Sequence, residues 1–253
     1  MAVELYNDGT HKCIAFYDLV SSDGVQANQF LLVNGNHSAL LEPGGDLIYN
    51  DLFMHSYKYL LTKTLDYVIG SHQDPDILSS LDKWLAGSDC QIIVPAIWER
   101  FIIHFAAPGK LKDRIIGIPD QGMNIKIGQT ILKAIPAHFL HSEGNFQFYD
   151  PVSKILFSGD LGASIGDITQ VEQPVEDFEQ HINNMVGFHR RYMSSNKVCR
   201  YWVNMVRGLD IEWIIPQHGP SFKGKAMIQQ FLKWVEELEC GIDLVTQETY
   251  QIP

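Results

Sequence analysis

The sequence predicts an α/β fold: a sandwich of two sheets covered by helices on both outer faces (αββα), built as a single domain over residues 1–253. Two observations carry this prediction. Strand-like runs alternate with helical periodicities, and they group into two βα halves that each end in helices. No repeat, low-complexity tract or flexible linker separates the halves, and at 45% hydrophobic residues the chain can bury a substantial core.

The elements follow in chain order. Residues 13–19, 29–33 and 38–41 are rich in Phe, Leu, Val and Ile and read as strands. Asn34-Gly35, between the second and third, is a hairpin-turn signal. Over residues 46–61, Leu47, Ile48, Leu52, Phe53 and Leu60 recur at helical spacing. Residues 67–70 form a short buried strand. Residues 77–85 form an amphipathic helix with Gly87 as its C-terminal cap. A strand at 91–94 and a helix at 96–105 follow. From 114 to 157 the chain turns mostly β, in the runs IIGI, IKI, TILKAIPA, FQFYD and KILFSGD. Residues from about 175 to 206 are helical, 213–216 make a strand, and 225–238 the last helix.

Charge and composition narrow the function. A net charge of −11 repels a phosphate backbone and argues against a nucleic-acid partner. The N-terminus MAVELYNDGTHK lacks a basic stretch followed by an apolar run, and no stretch of about 18 apolar residues exists, so neither a signal peptide nor a membrane span is expected. Cys13, Cys90, Cys199 and Cys240 are scattered with no C-x-x-C pair. That pattern reads as buried free thiols in a cytoplasmic protein, with an occasional redox-active thiol as the lesser alternative.

The chemistry gathers at four strand ends. In Ser71-His72-Gln73-Asp74-Pro75-Asp76, His72, Asp74 and Asp76 sit at i, i+2 and i+4. Proline keeps Asp74 extended and opens a helix, so the segment is a strand-to-helix turn on which one imidazole and two carboxylates can converge. Taken alone, Asp-Pro-Asp is equally an ordinary helix N-terminus, with Asp74 capping and Asp76 facing the macrodipole. Three further segments shift that balance. His141 follows a strand in HFLHSEGNFQFYD, Asp160 ends an apolar strand in ILFSGDLGAS, and His218 ends another in WIIPQHGPSF. Each is weak alone. Together they place metal-ligand chemistry on one sheet edge, where strand ends share a cleft.

In its order His-x-Asp-x-Asp, His, Asp, His, the chain resembles the di-iron domain of flavodiiron proteins, a branch of the metallo-β-lactamase fold. The resemblance runs over nearly the whole chain, through GVQANQFLL, YVIGSHQDPDILSSLDKWL, LHSEGNFQFYD, LFSGDLGAS and IIPQHGPSF. It implies two iron ions. His72, Asp74, His141 and Asp160 would hold one, Asp76, Asp160 and His218 the other, and Asp160 would bridge. The sequence departs from that family in three ways. Asp74 stands where Glu is usual, and Ile77 stands where the last loop histidine is usual. No flavodoxin domain follows by Pro253, so no FMN is expected on this chain. Carboxylate enrichment makes the site harder than a nitrogen-rich zinc site and favours iron or manganese over zinc.

Two ferrous ions roughly 3.5–4 Å apart can together deliver two electrons to O₂, binding it as a bridged peroxide. Reduction to water needs four. The chain therefore resembles the stand-alone oxygen-binding di-iron proteins, which this likeness implies are oxygen or iron sensors, some in bacterial chemotaxis. The expected partners are O₂ and a signalling protein or an external electron donor, and the family's head-to-tail pairing makes a homodimer plausible. The alternatives are an oxygen or nitric oxide reductase fed by such a donor, a binuclear zinc hydrolase, and a metal-free scaffold. Among the remaining residues, His138 is expected beside the ligands or on the surface, and His104 in the core or cleft. His11, His37, His55, His181 and His189 are expected on the surface, and Tyr149 is open.

Overall fold

The computed structural model describes residues 1–21, 23–61, 64–166 and 170–252. Among these described residues, seven strands form one sheet in chain order: β1 (Ala2–Asn7), β2 (His11–Phe16), β3 (Gln29–Asn34), β4 (His37–Leu41), β5 (Thr64–Ile69), β6 (Gln91–Pro95) and β7 (Ile115–Ile118). Pairing is antiparallel up to β4 and parallel from β4 to β7. The second sheet holds β8 (Met123–Ile127), β9 (Thr130–Pro136), β10 (Phe146–Asp150), β11 (Ile155–Phe157), β12 (Trp213–Ile215) and β13 (Phe222–Lys223), with β11 and β12 parallel.

The apolar residues sort into three layers, which is the αββα sandwich. The innermost lies between the sheets and includes Phe30, Ile69, Phe146, Phe148 and Phe157. A second packs the first sheet against α1 (Tyr49–Leu60), α2 (Pro75–Leu78) and α3 (Leu81–Gly87) through Leu52, Leu78, Leu81 and Trp84. After α4 (Glu99–Ile102), the third packs the second sheet under α5 (Phe178–Tyr192), α6 (Asn196–Val206) and α7 (Lys225–Glu237), through Met185, Trp202 and Phe231. No helix among the described residues is long and apolar enough to cross a membrane.

The structure divides three elements that periodicity reads as continuous. The helix expected over 77–85 is two helices, because Ser80 turns its hydroxyl away to the Gly44 and Pro43 carbonyls at 2.6 and 3.2 Å. The helix expected over 175–206 breaks after Tyr192, where Met193 is extended and sinks into the core. The helix expected over 96–105 is a series of short turns. The hairpin pairs Asn34 with His37, so its turn is Gly35-Asn36, and Gly35 adopts φ +61°. The edge strands β1 and β13 escaped the sequence reading.

Candidate metal centre

The first ligand segment leaves the end of β5 at Gly70. A Cβ there would stand 2.5 Å from a Leu78 methyl, so glycine lets α2 fold back against the strand end with Leu78 in its place. Asp74 is extended, at φ −67° and ψ 146°, and Pro75 opens α2. The Asp74 side chain makes no cap hydrogen bond to α2, so the capping reading fails for it. Asp160 follows β11 through Gly159, at φ +57°, and His218 follows β12. Since β11 and β12 are parallel neighbours, Asp160 and His218 arrive side by side. His141 comes from the loop between β9 and β10.

All six residues meet at one sheet edge. His72 Nε2 lies 3.6 Å from Asp74 Oδ2 and 3.7 Å from Asp160 Oδ2. His141 Nε2 lies 3.2 and 3.5 Å from the same two oxygens. Ligand atoms of these four residues all fall within 4.8 Å of one another. On the other side, His218 Nε2 lies 3.4 Å from Asp160 Oδ1 and 3.6 Å from Asp76 Oδ2. The two oxygens of Asp160 thus face two different groups.

The residues fit metal ions better than they fit one another. His72 Nε2 and Asp160 Oδ1 are buried without a hydrogen-bond partner, a costly state for either atom. Most of the separations exceed hydrogen-bond length. They suit ligands that share an ion, since two donors each about 2.1 Å from a metal stand roughly 3–3.5 Å apart. The imidazoles are also aimed. His218 Nδ1 donates to the Gln26 carbonyl at 2.6 Å, and His72 Nδ1 lies 2.8 Å from Ser71 Oγ, which leaves both Nε2 atoms for the cleft.

Charge follows from this crowding. Burial pushes the Asp160 pKa up, but the His72 charge and the nearby His218 imidazole outweigh it and hold the carboxyl at about 2. Burial pulls His72 and His218 down, but the Asp160 carboxylate beside each prevails and both rise to about 9. Asp74 is lowered despite burial, by its hydrogen bond from His141 and by the close His72 imidazole. Burial raises Asp76, and the His218 charge offsets only part of that. Behind His72, Glu42 is buried with its carboxylate on the Ser71 N–H, and burial carries it to about 7.

Asp74, Asp76, His141, Asp160 and His218 form the floor of a cleft of about 480 Å³, whose walls include Val25, Leu47, Ile48, Phe188 and Tyr192. Tyr192 stands edge-on to the His141 ring at 5.4 Å. Ile77 is not among the lining residues; it is fully buried with Leu78 and Leu81 in the helix–sheet layer.

Several residues sit where the sequence did not place them. His181 and His189 are buried, not on the surface, and both hold the loop that carries Asp160. His189 accepts from the Gly162 N–H at 2.9 Å and donates to its own helix at Met185 O, while His181 Nε2 lies 2.7 Å from Ser164 Oγ. Their spacing held the signal: each is four residues from Met185 on one helical face. His11 is also buried, paired with Asp150 at 2.8 Å away from the ligands. His104 is exposed, contrary to expectation, because its short turn lies open to solvent. His37 and His55 are exposed as expected. His138 bonds the Asp120 carbonyl at 2.8 Å. Tyr149 is buried behind the sheet, donating to Asp210 O at 3.1 Å.

Two sets of hydrogen bonds join the sheets at this edge. The Phe146 N–H donates to Ser71 O at 3.1 Å, beside His72. The Asn28 amide donates to Pro216 O and Gly219 O, both at 2.9 Å, on either side of His218.

An αββα sandwich with such a cluster at the mouth between its sheets defines the metallo-β-lactamase class. Within that class the chain belongs to the ODP family beta lactamases, whose pattern matches residues 25–219. It is similar to the chemotaxis sensor ODP solved as a peroxy diiron species, with 38% identity and a TM-score of 0.86 over 98% of this chain and 99% of that one. The apo state of the chemotaxis sensor ODP from T. denticola gives 37%, 0.87, 99% and 99%. The flavodiiron protein of Giardia intestinalis shares the fold, with a TM-score of 0.74 at 16% identity over 89% of this chain and 57% of that one. An uncharacterized protein of Methanocaldococcus jannaschii is 29% identical over 212 residues, 80% of this chain and 51% of that protein. The chain spans about half the length of the curated relatives it matches.

Proposed function

We propose that this chain is a di-iron protein that binds O₂ and acts as an oxygen or iron sensor. The observation that carries the reading is the division of Asp160 between two ligand groups, His72, Asp74 and His141 on one side, Asp76 and His218 on the other. Its family membership and its likeness to a chemotaxis sensor over almost the full length of both chains support the same reading. When bound, two ferrous ions would supply two electrons to O₂. The protein's own residues do the rest. Asp160 neutralises charge on both sides, Gln26 and Ser71 fix the imidazole tautomers, and Phe188 and Tyr192 limit water above His141. A sensor needs a reader, so the reading includes a signalling partner and a cytoplasmic location.

The test is anaerobic Fe(II) loading followed by air, watched by absorption spectroscopy. Two irons per chain and a long-lived, air-dependent charge-transfer band are expected. Multiple turnovers with added reductant would favour a reductase. Stoichiometric zinc that iron cannot displace would overturn the iron assignment.

A further inference from the structure

Away from the metal centre, Cys199 and Cys240 are fully buried with their sulfurs 3.9 Å apart. Cys199 lies in the first turn of α6, and Cys240 begins the short turn Gly241–Leu244 that follows α7. Among the described residues the other two cysteines have different company: Cys13 donates to Asp150 at 3.4 Å, and Cys90 lies 3.8 Å from Arg114.

We propose that Cys199 and Cys240 form a disulfide when the folded protein meets hydrogen peroxide, which makes the pair an oxidation site separate from the metal centre. The surrounding bonds hold the two sulfurs in register. The Asn196 amide donates to the Glu236 and Leu238 carbonyls, both at 2.8 Å, and Asp243 accepts from the Cys240 N–H at 3.2 Å. Ile242 N–H donates to Ser194 O at 2.9 Å. Gly241, at φ +51°, lets the turn close on α6: a Cβ there would stand 2.2 Å from the Met193 and Ser194 carbonyl oxygens. The crosslink requires the sulfurs to close from 3.9 Å to the S–S length of about 2.05 Å between two backbone segments already bonded to each other.

The two thiols are not equivalent. Either sulfur can donate across the 3.9 Å contact, so the difference between them lies in what borders each. A cleft of about 400 Å³, lined in part by Met193, Ser194, Gly241 and Ile242, brings solvent to the backbone beside Cys240. Cys240 thiolate attacks one peroxide oxygen; the S–O bond forms, the O–O bond breaks, and hydroxide leaves and takes a proton as water. The Cys199 sulfur then attacks Cys240 Sγ. The S–S bond forms, the S–O bond breaks, and the departing hydroxide takes the Cys199 proton as a second water. Two thiols and one peroxide thus give one disulfide and two waters.

The crosslink would bind the turn after α7 to α6, next to the break that carries Tyr192 over the cleft. The test uses chelator-stripped, reduced, folded protein, so its outcome is independent of the iron assignment. The protein is treated with hydrogen peroxide, alkylated, and mapped by mass spectrometry. The expected result is a Cys199–Cys240 crosslinked peptide, a fall in free thiols from four to two, and reversal by dithiothreitol. Cys199→Ala should leave Cys240 as a sulfenic acid that dimedone traps, whereas Cys240→Ala should leave Cys199 reduced. If either variant misfolds, the map of the unsubstituted protein decides. A crosslink that forms only in urea, or peroxide that oxidises Cys13 and Cys90 while 199 and 240 stay free, would overturn the proposal.

Discussion

His189→Leu tests how the Asp160 loop is held. The substitution keeps the site filled with an apolar side chain but removes the acceptor that takes the Gly162 N–H at 2.9 Å. A buried N–H without a partner costs about 1–3 kcal/mol, so the variant should be less stable by that amount at pH 8. The difference should shrink in acid. Burial lowers the His189 pKa from its ordinary 6.5 to about 4. Between these values the unfolded chain takes up a proton that the folded chain refuses, so His189 destabilises the fold as pH falls. At about 1.36 kcal/mol per pH unit the gap is worth about 3 kcal/mol. Leucine carries no such cost. The two stability curves should therefore converge, or cross, near pH 4. Glu42, raised from 4.5 to about 7, has the opposite sign: it holds its proton in the fold and gains stability as pH falls below 7. That contribution is common to both proteins and cancels in the comparison. The measurement is urea unfolding of metal-free protein from pH 4 to pH 8. Parallel curves would refute the assignment of His189 as a neutral acceptor.

Asp160→Ala should leave at least one of the two metal positions empty, while His218→Ala should weaken mainly the position it shares with Asp76; metal content after anaerobic reconstitution separates the two, and full occupancy in Asp160→Ala would exclude the bridge. Metal binding near pH 7.5 should release about two protons per chain, because His72 and His218 stay protonated in the metal-free protein up to about 9. A pH indicator in weak buffer would register the release, and binding without proton loss would contradict the pairing with Asp160. In the metal-free protein, those two histidines contribute stability that is complete below 6.5 and is lost as pH rises through about 9, which thermal melts between pH 6 and pH 10 should reveal.

The sandwich was legible in the sequence because its strands are short apolar runs bounded by turns, and strand ends such as Ile69-Gly70 and Ile215-Pro216 lead straight to His72 and His218. The six candidate ligands were legible because acids and imidazoles after apolar strands need partners, and the structure gathers all six at one edge. Periodicity failed where a side chain competed with the backbone, as Ser80 does between α2 and α3. It also failed for polar residues that the fold buries and satisfies. His11, His181 and His189 read as surface because each partner is distant in sequence: Asp150, Ser164 and Gly162. Ile77 stands where the resemblance puts a ligand, but one further step around the helix from Asp76 turns it into the core.

The bonds from Phe146 to Ser71 and from Asn28 to Pro216 and Gly219 fasten the sheets within two residues of His72 and His218. Their placement governs how the centre can move. The first sheet supplies His72, Asp74 and Asp76, and the second supplies His141, Asp160 and His218. A change in the spacing of the two ligand groups therefore loads these fastenings directly. The opposite strand ends are fastened as well, by His11 to Asp150 at 2.8 Å and by the Gln129 N–H to Asn34 Oδ1 at 2.8 Å, so the two sheets are held at both ends.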